Sequence, residues 1–386
     1  MKSATTEKND VVRHIPFQDL RLTNEKEMTD FIRIATEVLR SGRYVNGPAV
    51  SDFERELAAI CNTDYCVAVS TGLDALRLIL LGYIHLGKLK PGDEVIVPAN
   101  TFIATFLAVT SCGLTAVAAD IADDFCLDFS RLPLTEKTRA VIPVHLYGNV
   151  CYNRQEFDRL RSNGILIIED NAQAIGASIL TGGQICPTGS LGDAAAISFY
   201  PAKNIGAFGD AGAVVTSDEN LAKTVRMLAN YGSQKKYIHE LKGFNCRMDE
   251  IQAALLRRKL SSLKEVIERR QRSALLYNKL IFNRNFIKPT LFPNQKQVWH
   301  QYVVRYIGTP HSRDDIRQIL KEKGIGTEVH YPVPCHLQPC YSSDKNLKVY
   351  NRPLRAEKIS QEIISLPIAN TTDEEIVYIA ETLNKI

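Results

Sequence analysis

Short apolar runs alternate with helical patterns over the middle of the chain. Several of these runs are almost continuously apolar, which is typical of strands that are buried on both faces. Helical patterns separate most of them, for example at residues 74–86 and 154–162. This alternation predicts an α/β fold, with a mostly parallel sheet of the seven-stranded type wrapped by helices. The strand candidates are residues 66–70, 94–99, 114–121, 140–148, 165–170, 194–201 and 212–217.

The flanking regions predict a tail and a second, smaller domain. Residues 1–15 are mostly polar and are expected to form a flexible tail. A chain of 386 residues is too long for one simple core. We therefore predict a large domain over residues 16–262 and a small C-terminal α+β domain over residues 263–386. The additional predicted elements are helices at 25–41, 51–60, 248–281 and 313–323 and a strand at 301–307.

Composition narrows the possible function classes. The net charge of +4, from 47 basic and 43 acidic side chains, is too small for the basic face that a nucleic-acid-binding protein needs. The N-terminus has no apolar segment of the signal-peptide type, and no apolar run is long enough to span a membrane. The nine cysteines are scattered without a zinc-type spacing, so we expect reduced thiols, no metal site and a cytoplasmic location.

Polar or reactive side chains follow three of the predicted strands. Ligands of open α/β sheets bind at the carboxyl ends of the strands, so these residues are candidates for a site. At the first end, Ser70, Thr71, Gly72 and Leu73 precede a helix, whose free N–H groups can hold a phosphate. The alternative at this end is an ordinary helix cap, made by Thr71 or Asp74.

The other two strand ends carry an acid and a lysine. Asp170 at the second end could keep a pyridine nitrogen protonated, and Gln173 could reach a phenolic oxygen of the same ring. The alternative for Asp170 is a cap or a surface charge. Lys203 at the third end lies between a proline and the glycine-rich residues 206–214. Enclosure there would lower the pKa of Lys203 and make it a Schiff-base nucleophile, whereas an isolated lysine after a strand is normally solvated.

These three ends, in this order, resemble those of a known enzyme family. From residue 43 to the C-terminus the sequence resembles the DegT/DnrJ/EryC1/StrS sugar aminotransferases. The resemblance implies the aspartate aminotransferase-like fold of PLP-dependent transferases (fold type I) and pyridoxal 5′-phosphate (PLP) as cofactor. The motifs that carry it are FERELA (53–58), STGLDAL (70–76), PANTFIAT (98–105), PVHLYG (143–148), EDNAQAIGA (169–177), SFYPAKNIGAFGDAGAV (198–214) and GFNCRMDEIQAA (243–254).

The resemblance implies roles for individual residues around the cofactor ring. Lys203 matches the catalytic lysine that binds PLP covalently as an imine. Asp170 matches the partner of the pyridine nitrogen, and Gln173 matches the contact to the ring hydroxyl. Phe102 matches the aromatic residue that stacks on the ring.

The resemblance also implies a set of contacts for the cofactor phosphate. Ser198 and the backbone amides of Gly72 and Leu73 match the family's phosphate-binding groups. Many members have Thr at the position of Leu73, and Thr71 is the candidate to supply the hydroxyl that Leu73 lacks. Asn245 matches a residue that reaches the phosphate from the neighbouring subunit, which implies a homodimer with shared active sites.

The glycine-rich segment narrows the expected substrate. Residues 209–212 read GDAG where many members read GEGG, a form that resembles the branch acting on dTDP-3-oxo-6-deoxyhexoses. We therefore expect transfer of an amino group from L-glutamate to the C3 keto group of such a nucleotide-linked keto-sugar, in deoxyamino sugar biosynthesis. A nucleotide-sugar 4-aminotransferase of the same family is the alternative.

Three further residues are candidates for contact with the sugar. Tyr44 lies in a turn-rich segment, where the alternative is an exposed tyrosine without a role. His145 either faces the site or is a packed histidine at a strand end. His330 lies in the proline-rich residues 326–341 and is favoured as a site residue, whereas the role of His336 is left open.

Other functions on related folds are disfavoured. A sugar dehydratase of this family has histidine in place of the lysine, so Lys203 argues against that activity. A non-catalytic binding protein would not need Asp170, Gln173, Ser198 and Lys203 together. A nicotinamide-dependent enzyme would show the G-x-G-x-x-G fingerprint in its first βα turn, where this sequence lacks it.

Overall fold

One large sheet and two small sheets organise the molecule in residues 14–386, the part of the chain that this computed structural model describes. The strands are β1 (Tyr65–Val69), β2 (Glu94–Pro98), β3 (Thr115–Ala119), β4 (Thr138–Val141), β5 (Leu166–Asp170), β6 (Ser178–Thr181), β7 (Gln184–Pro187), β8 (Ala194–Ser198), β9 (Gly212–Thr216), β10 (Phe286–Ile287), β11 (Gln295–Lys296), β12 (Tyr302–Tyr306), β13 (Leu347–Lys348) and β14 (Ile363–Leu366). The predicted tail of residues 1–15 lies, up to residue 13, outside the described residues.

Helices cover the sheets and connect most of the strands. They are α1 (Leu20–Asn24), α2 (Met28–Ser41), α3 (Pro48–Cys61), α4 (Gly72–His85), α5 (Ile103–Ser111), α6 (Arg154–Ser162), α7 (Glu219–Ala229), α8 (Glu250–Leu260), α9 (Leu263–Leu280), α10 (Arg313–Glu322), α11 (Leu354–Ser360) and α12 (Asp373–Lys385). Within residues 14–386, no helix is long and apolar enough to cross a membrane.

The large sheet has eight strands in the order β1-β9-β8-β5-β4-β2-β3-β13. Strand β9 is antiparallel to both of its neighbours, and all other neighbouring strands are parallel. Each of the seven predicted runs overlaps one of these strands, so the predicted mostly parallel α/β sheet is confirmed. The eighth strand, β13, was not predicted, because its two residues are too short for an apolar pattern.

The large sheet is buried on both faces by helices, which explains its nearly continuous apolar strands. On one face, side chains of α4, α5 and α7 pack with the strands in a single apolar cluster. On the other face, side chains of α3, α6 and α8 form a second cluster. Because every residue of β2, β3 and β9 is buried, alternation of polar and apolar residues is absent there.

The C-terminal part has a separate apolar cluster around the sheet β10-β12-β14. Helices α9, α10 and α12 supply most of the remaining members of that cluster. Ile15 also belongs to it, because its backbone pairs with Gly324 and Gly326. A domain boundary near residue 262 stays a prediction, and side chains such as Val303 and Ile363 also pack against the core of the large sheet.

The prediction of one long helix over residues 248–281 is wrong, because the chain forms two helices, α8 and α9, that are separated at Ser261 and Ser262. Both hydroxyls accept hydrogen bonds from Arg258, and the Ser261 hydroxyl also donates to the Arg258 carbonyl at 2.6 Å. Serine side chains that bond the local backbone compete with helix propagation. The break turns α9 toward the C-terminal cluster.

Candidate active site

The carboxyl ends of β1, β5 and β8 lie along one edge of the large sheet, together with the start of the antiparallel β9. Two glycines allow the chain segments to approach each other closely there. A Cβ atom on Gly212 would lie 2.3 Å from the Thr71 carbonyl, and one on Gly72 would lie 2.6 Å from Cβ of Ser198. The structure therefore brings Thr71, Gly72 and Ser198 together, as the sequence predicts.

The first turn of α4 borders this contact. The Thr71 hydroxyl accepts the N–H of Asp74 at 2.9 Å, so the helix cap considered as the alternative is present. The first backbone bond of the helix runs from Ala75 N–H to the Thr71 carbonyl at 3.0 Å. The N–H groups of Gly72 and Leu73 precede that bond and are the groups that a helix start offers to an anion. The Thr71 cap thus leaves the N–H groups of Gly72 and Leu73 at this helix end, and the phosphate site expected there stays a prediction.

Asp170 ends β5 and is buried, with 5% of its surface exposed. One carboxylate oxygen accepts the hydroxyl of Thr105 at 2.8 Å, and the other accepts the N–H of Ala172 at 3.2 Å. Burial raises the pKa of the Asp170 carboxyl, while the bond from Thr105 and the charge of Lys203 oppose that rise. Asp170 is therefore a buried carboxylate with a neighbouring cation, and a surface role for it is ruled out.

Lys203 lies in the loop that follows β8. This loop is folded back on itself, since Lys203 N–H donates to Tyr200 and Ala207 N–H donates to Phe199. Burial lowers the pKa of the Lys203 ammonium to about 8, and the charge of Asp170 opposes part of that shift. Lys203 is half-buried, and its amine lies close enough to the carboxylate of Asp170 for their charges to interact.

Gln173 occupies a fixed orientation beside these groups. Its Oε1 accepts the N–H of Tyr147 at 2.6 Å, which directs the amide nitrogen toward the hydroxyl of Tyr331 at 3.2 Å. The Tyr331 ring lies 5.4 Å from that of Phe102, and Phe102 is 52% exposed. Tyr147 and Tyr331 were not predicted as site residues, although each lies within two residues of a candidate histidine.

His330 lies close enough to Lys203 for the two charges to interact. Burial and then the positive charge of Lys203 lower the pKa of the His330 imidazole to about 4. Its Nδ1 lies 2.9 Å from the hydroxyl of Ser365, and its carbonyl accepts the hydroxyl of Tyr147. A neutral His330 therefore borders the site, in agreement with its expected location.

His300 is a second histidine near Lys203, and sequence analysis missed it. Burial is the main cause that lowers its pKa well below the usual value, and the charge of Lys203 adds to the effect. Its Nδ1 lies 3.2 Å from the side-chain oxygen of Asn204. A single histidine in a strand-like segment gives no sequence signal, since its nearness to Lys203 arises only on folding.

The other candidate residues have different surroundings. His145 is fully buried, with Glu169 Oε2 2.8 Å from its Nε2 and the N–H of Cys151 3.0 Å from its Nδ1. These contacts favour the packed strand-end histidine over a direct substrate contact. Tyr44 and Asn245 are exposed in this subunit, and their expected ligand contacts stay predictions. His336 is buried against Glu357 at 3.1 Å.

Comparison with known proteins identifies the family. The sequence profile of the DegT/DnrJ/EryC1/StrS aminotransferase family matches residues 25–384. The chain belongs to this family. A relative from Streptomyces venezuelae, dTDP-3-amino-3,4,6-trideoxy-alpha-D-glucose transaminase, is 43% identical over 362 residues, covering 92% of this chain and 91% of the relative. dTDP-3-amino-3,6-dideoxy-alpha-D-galactopyranose transaminase of Aneurinibacillus thermoaerophilus is 40% identical over 375 residues, covering 96% and 99%.

Solved structures of the same family have the same fold. The crystal structure of S. venezuelae DesV in complex with a ketimine intermediate has a TM-score of 0.88 at 40% identity, covering 96% of this chain and 98% of DesV. The structure of NtdA from Bacillus subtilis with bound cofactor PMP has a TM-score of 0.86 at 30% identity, covering 98% and 87%. The fold predicted from the resemblance is thereby confirmed.

The residues of this aminotransferase site fit PLP, the cofactor of the family. The cradle in which Gly72 approaches Ser198 and the N–H groups of the α4 start suit a phosphate. The buried Asp170 suits a pyridinium nitrogen, because a buried carboxylate needs a positive partner. Lys203, whose pKa is lowered to about 8, suits a carbonyl that is attacked by a free amine.

Proposed function

We propose that this protein transfers an amino group from L-glutamate to the C3 keto group of a dTDP-3-oxo-6-deoxyhexose, with PLP held on Lys203. The observation that carries the proposal is the position of the half-buried Lys203 near the buried Asp170, at the sheet edge where α4 begins. Two relatives of more than 90% coverage are named for dTDP-linked 3-amino sugars, which supports C3 as the position of transfer.

Lys203 acts as the base that moves protons in this proposal. Bound PLP supplies an electron-accepting ring and a carbonyl that carries the amino group between the two substrates. Because the pKa of Lys203 is lowered to about 8, a useful fraction of the amine is uncharged near neutral pH. Once released from the cofactor, Lys203 would take the proton from the α-carbon of glutamate and pass it to the cofactor carbon that carries the amino group. In the second half-reaction it would move a proton from that carbon to C3 of the sugar.

Asp170 and Gln173 hold the two polar edges of the ring. Asp170 keeps a proton on the ring nitrogen, and the hydroxyl of Thr105 fixes the carboxylate from the side. Gln173 offers its amide nitrogen to the ring oxygen, because Tyr147 N–H already occupies its Oε1. Phe102 has an exposed ring available for stacking.

The phosphate is held where α4 begins. Gly72 and Leu73 supply backbone N–H groups, and the hydroxyl of Ser198 lies against Gly72. Asn245 of the partner subunit completes the phosphate site, which requires a homodimer. Asn245 is exposed in the single subunit, as this proposal needs.

The sugar is bound on the side formed by the C-terminal part of the chain. His330 and Tyr331 lie at this side, and the tyrosine hydroxyl is within hydrogen-bond distance of Gln173. Burial and the charge of Lys203 lower the pKa of His330 to about 4, so a neutral imidazole faces the substrate near neutral pH. A neutral wall suits the hydroxyl groups of a deoxyhexose. Tyr44, which is exposed beside the start of α8, is a further candidate for contact with the sugar.

The product's regiochemistry tests the proposed function. The purified enzyme, PLP and L-glutamate are incubated separately with dTDP-3-oxo and dTDP-4-oxo-6-deoxyhexoses, and the products are examined by NMR. We expect efficient formation of a 3-amino sugar, since C3 must come within about 3–3.5 Å of the reacting atom of the cofactor. Efficient formation of a 4-amino sugar instead would contradict the C3 assignment and would leave the role of Lys203 intact.

A further inference from the structure

A second carboxylate, Glu169, lies directly behind the one that faces the ring. Glu169 and Asp170 are consecutive residues of β5, so their side chains point to opposite faces of the sheet. Glu169 is fully buried. Its Oε1 accepts the N–H of Gly192 at 2.7 Å, and its Oε2 accepts the N–H of Gly189 at 2.7 Å.

The imidazole of His145 is the third partner of Glu169, with its Nε2 2.8 Å from Oε2. The protonation of this ring follows from its contacts. Cys151 donates its backbone N–H to Nδ1 at 3.0 Å, so Nδ1 is an acceptor and the ring proton is on Nε2. His145 is therefore neutral and donates to Glu169. The carboxylate receives three hydrogen bonds, all from uncharged groups.

Among residues 14–386, the charge of Glu169 thus has no cation hydrogen-bonded to it. A buried carboxylate without a positive partner is expensive to maintain, even when it is well hydrogen-bonded. The residues around Glu169 are closely packed. A Cβ atom on Gly192 would lie 2.5 Å from the carbonyl oxygen of Ile167 and 3.3 Å from Cγ of Glu169. This arrangement points to an electrostatic role rather than to simple packing.

The same pair also fixes the backbone of Asp170. His145 N–H donates to the Asp170 carbonyl at 3.1 Å, and Asp170 N–H donates to the Pro143 carbonyl at 2.9 Å. The ring of His145 is held by Glu169 and Cys151, so its backbone is held as well. The end of β5 is therefore bonded to the segment after β4 in two ways, through backbone hydrogen bonds and through the side chains of Glu169 and His145.

We propose that Glu169 and His145 act as a positioning pair for Asp170. The pair anchors the end of β5, and the Glu169 carboxylate adds a second negative charge behind the carboxylate that binds the ring nitrogen. The inference rests on the proposed roles of Asp170 and Lys203. Neither member of the pair touches the cofactor, so both act through Asp170.

A spectroscopic titration without substrates tests the proposal. PLP bound to lysine changes its visible absorption band with pH, and a nearby negative charge stabilises the protonated form. The titratable groups around the ring position include Asp170 on β5 and, from the C-terminal part, His300, His330 and Tyr331. On the Glu169 side, the thiol of Cys61 on α3 interacts with the Glu169 charge. Glu169→Gln removes the charge, so the midpoint of the band should fall by about 0.5 pH unit or more.

Glu94→Gln is the matched control, because Glu94 is also fully buried but stands at the amino end of β2, away from the site. It should leave the midpoint unchanged. In turnover, Glu169→Gln should lower kcat by about 10-fold, with little effect on the KM for glutamate, as for other residues that orient a catalytic group. A Glu169→Gln midpoint equal to that of the wild type would overturn the proposal.

Two substitutions at His145 keep the test decisive if Glu169→Gln does not fold. In His145→Gln the side-chain amide can still donate a hydrogen bond to Glu169. In His145→Asn the shorter amide can only accept the N–H of Cys151. We expect His145→Gln to retain the wild-type midpoint. His145→Asn should shift it downward, because a Glu169 carboxylate that loses a hydrogen-bond donor is protonated more readily and then contributes no charge. Equal midpoints for both variants would contradict the proposal. If the wild type shows no titratable visible band, the role of Lys203 fails instead, so the two failures are distinguishable.

Discussion

At the scale of single residues, the surroundings of Lys203 oppose its charge. Burial lowers the pKa of this amine to about 8, from the usual 10.5. In the apoprotein the unfolded chain therefore binds more protons than the native chain between these two values, and stability rises with pH in that window. Below about pH 8 the full cost of burying the ammonium is present.

Lys203→Met removes that cost, so it should raise the melting temperature of the apoprotein. The gain should be largest near about pH 7 and should shrink as the pH rises toward about 10. Thermal unfolding of both proteins at the two pH values measures it. Lys264→Met is the control, because Lys264 is 84% exposed and should show no such trend. A gain that is independent of pH would contradict the burial of a charged Lys203.

Asp170 carries a prediction for catalysis. Asp170→Asn keeps the shape of the side chain and the acceptor for Thr105 but cannot hold a proton on the ring nitrogen. We expect an unchanged fold by circular dichroism and a kcat lowered by about 10²–10³-fold, the range found when a preorganised electrostatic partner is removed. Near-normal transamination by Asp170→Asn would show that another group protonates the ring.

The sequence predicted the central residues of this site better than their neighbours. Asp170, Lys203 and Gly72 are recognisable because each follows a predicted strand and belongs to a specific motif. Thr105 and His300 gain their relevance only from contacts across the fold, with Asp170 in one case and near Lys203 in the other. The residue type alone does not predict such contacts.

At the scale of elements, α8 holds the glycine-rich loop that follows Lys203. The side chain of Gln252 makes two hydrogen bonds to the backbone of Phe208, at 3.0 and 3.1 Å. The amine of Lys259 donates to the Gly206 carbonyl at 2.6 Å and lies 4.2 Å from the centre of the Phe208 ring. The loop is therefore fixed from one helix at two points that lie about two turns apart.

Gln252→Ala should loosen this loop without touching the cofactor. Losing two hydrogen bonds costs about 1–3 kcal/mol, so we expect PLP to bind about 5- to 150-fold more weakly. Gln271→Ala is the control, since Gln271 makes a similar bond to the Gln297 carbonyl at 3.0 Å, away from the loop. PLP titration by absorbance measures both. Equal affinities for the two variants would contradict a role of α8 in holding the loop.

The apolar pattern predicted the strands of the large sheet better than the helices that follow it. Strands buried on both faces, such as β2 and β3, leave an unmistakable run of apolar residues. The break between α8 and α9 was missed, because serine is compatible with a helical pattern and Ser261 and Ser262 act through their hydrogen bonds to Arg258. Short strands such as β13 depend on a neighbour that is distant in sequence.

At the scale of the whole molecule, the site depends on segments from both ends of the chain. His330 and Tyr331 come from the C-terminal part, whereas Phe102 and Gln173 lie in the loops that follow β2 and β5 of the large sheet. Local sequence patterns do not show which distant segments meet on folding. The resemblance to a family was needed to place His330 at the site. The partner subunit's contribution is the remaining part of the proposed site.

Subunit mixing tests the shared site. Lys203→Ala should be inactive, and Asn245→Asp should be nearly so, because its carboxylate would repel the phosphate of the partner's cofactor. In a mixed dimer, one site would combine an intact Lys203 with an intact Asn245. Random mixing of the two inactive proteins should therefore recover about one quarter of the wild-type activity. If Asn245 acted within its own subunit, each site would carry one lesion and mixing would recover nothing.

Identifying the lysine that binds PLP covalently is the most direct test of the role proposed for Lys203. The holoenzyme is reduced with borohydride and digested, and the peptide that carries the reduced cofactor is identified by mass spectrometry. Lys259 is a built-in alternative, because burial lowers its pKa to about 8 as well, but it is bonded to Gly206 rather than placed opposite Asp170. We expect the reduced cofactor on Lys203 alone. A label on Lys259 or on any other lysine would contradict it.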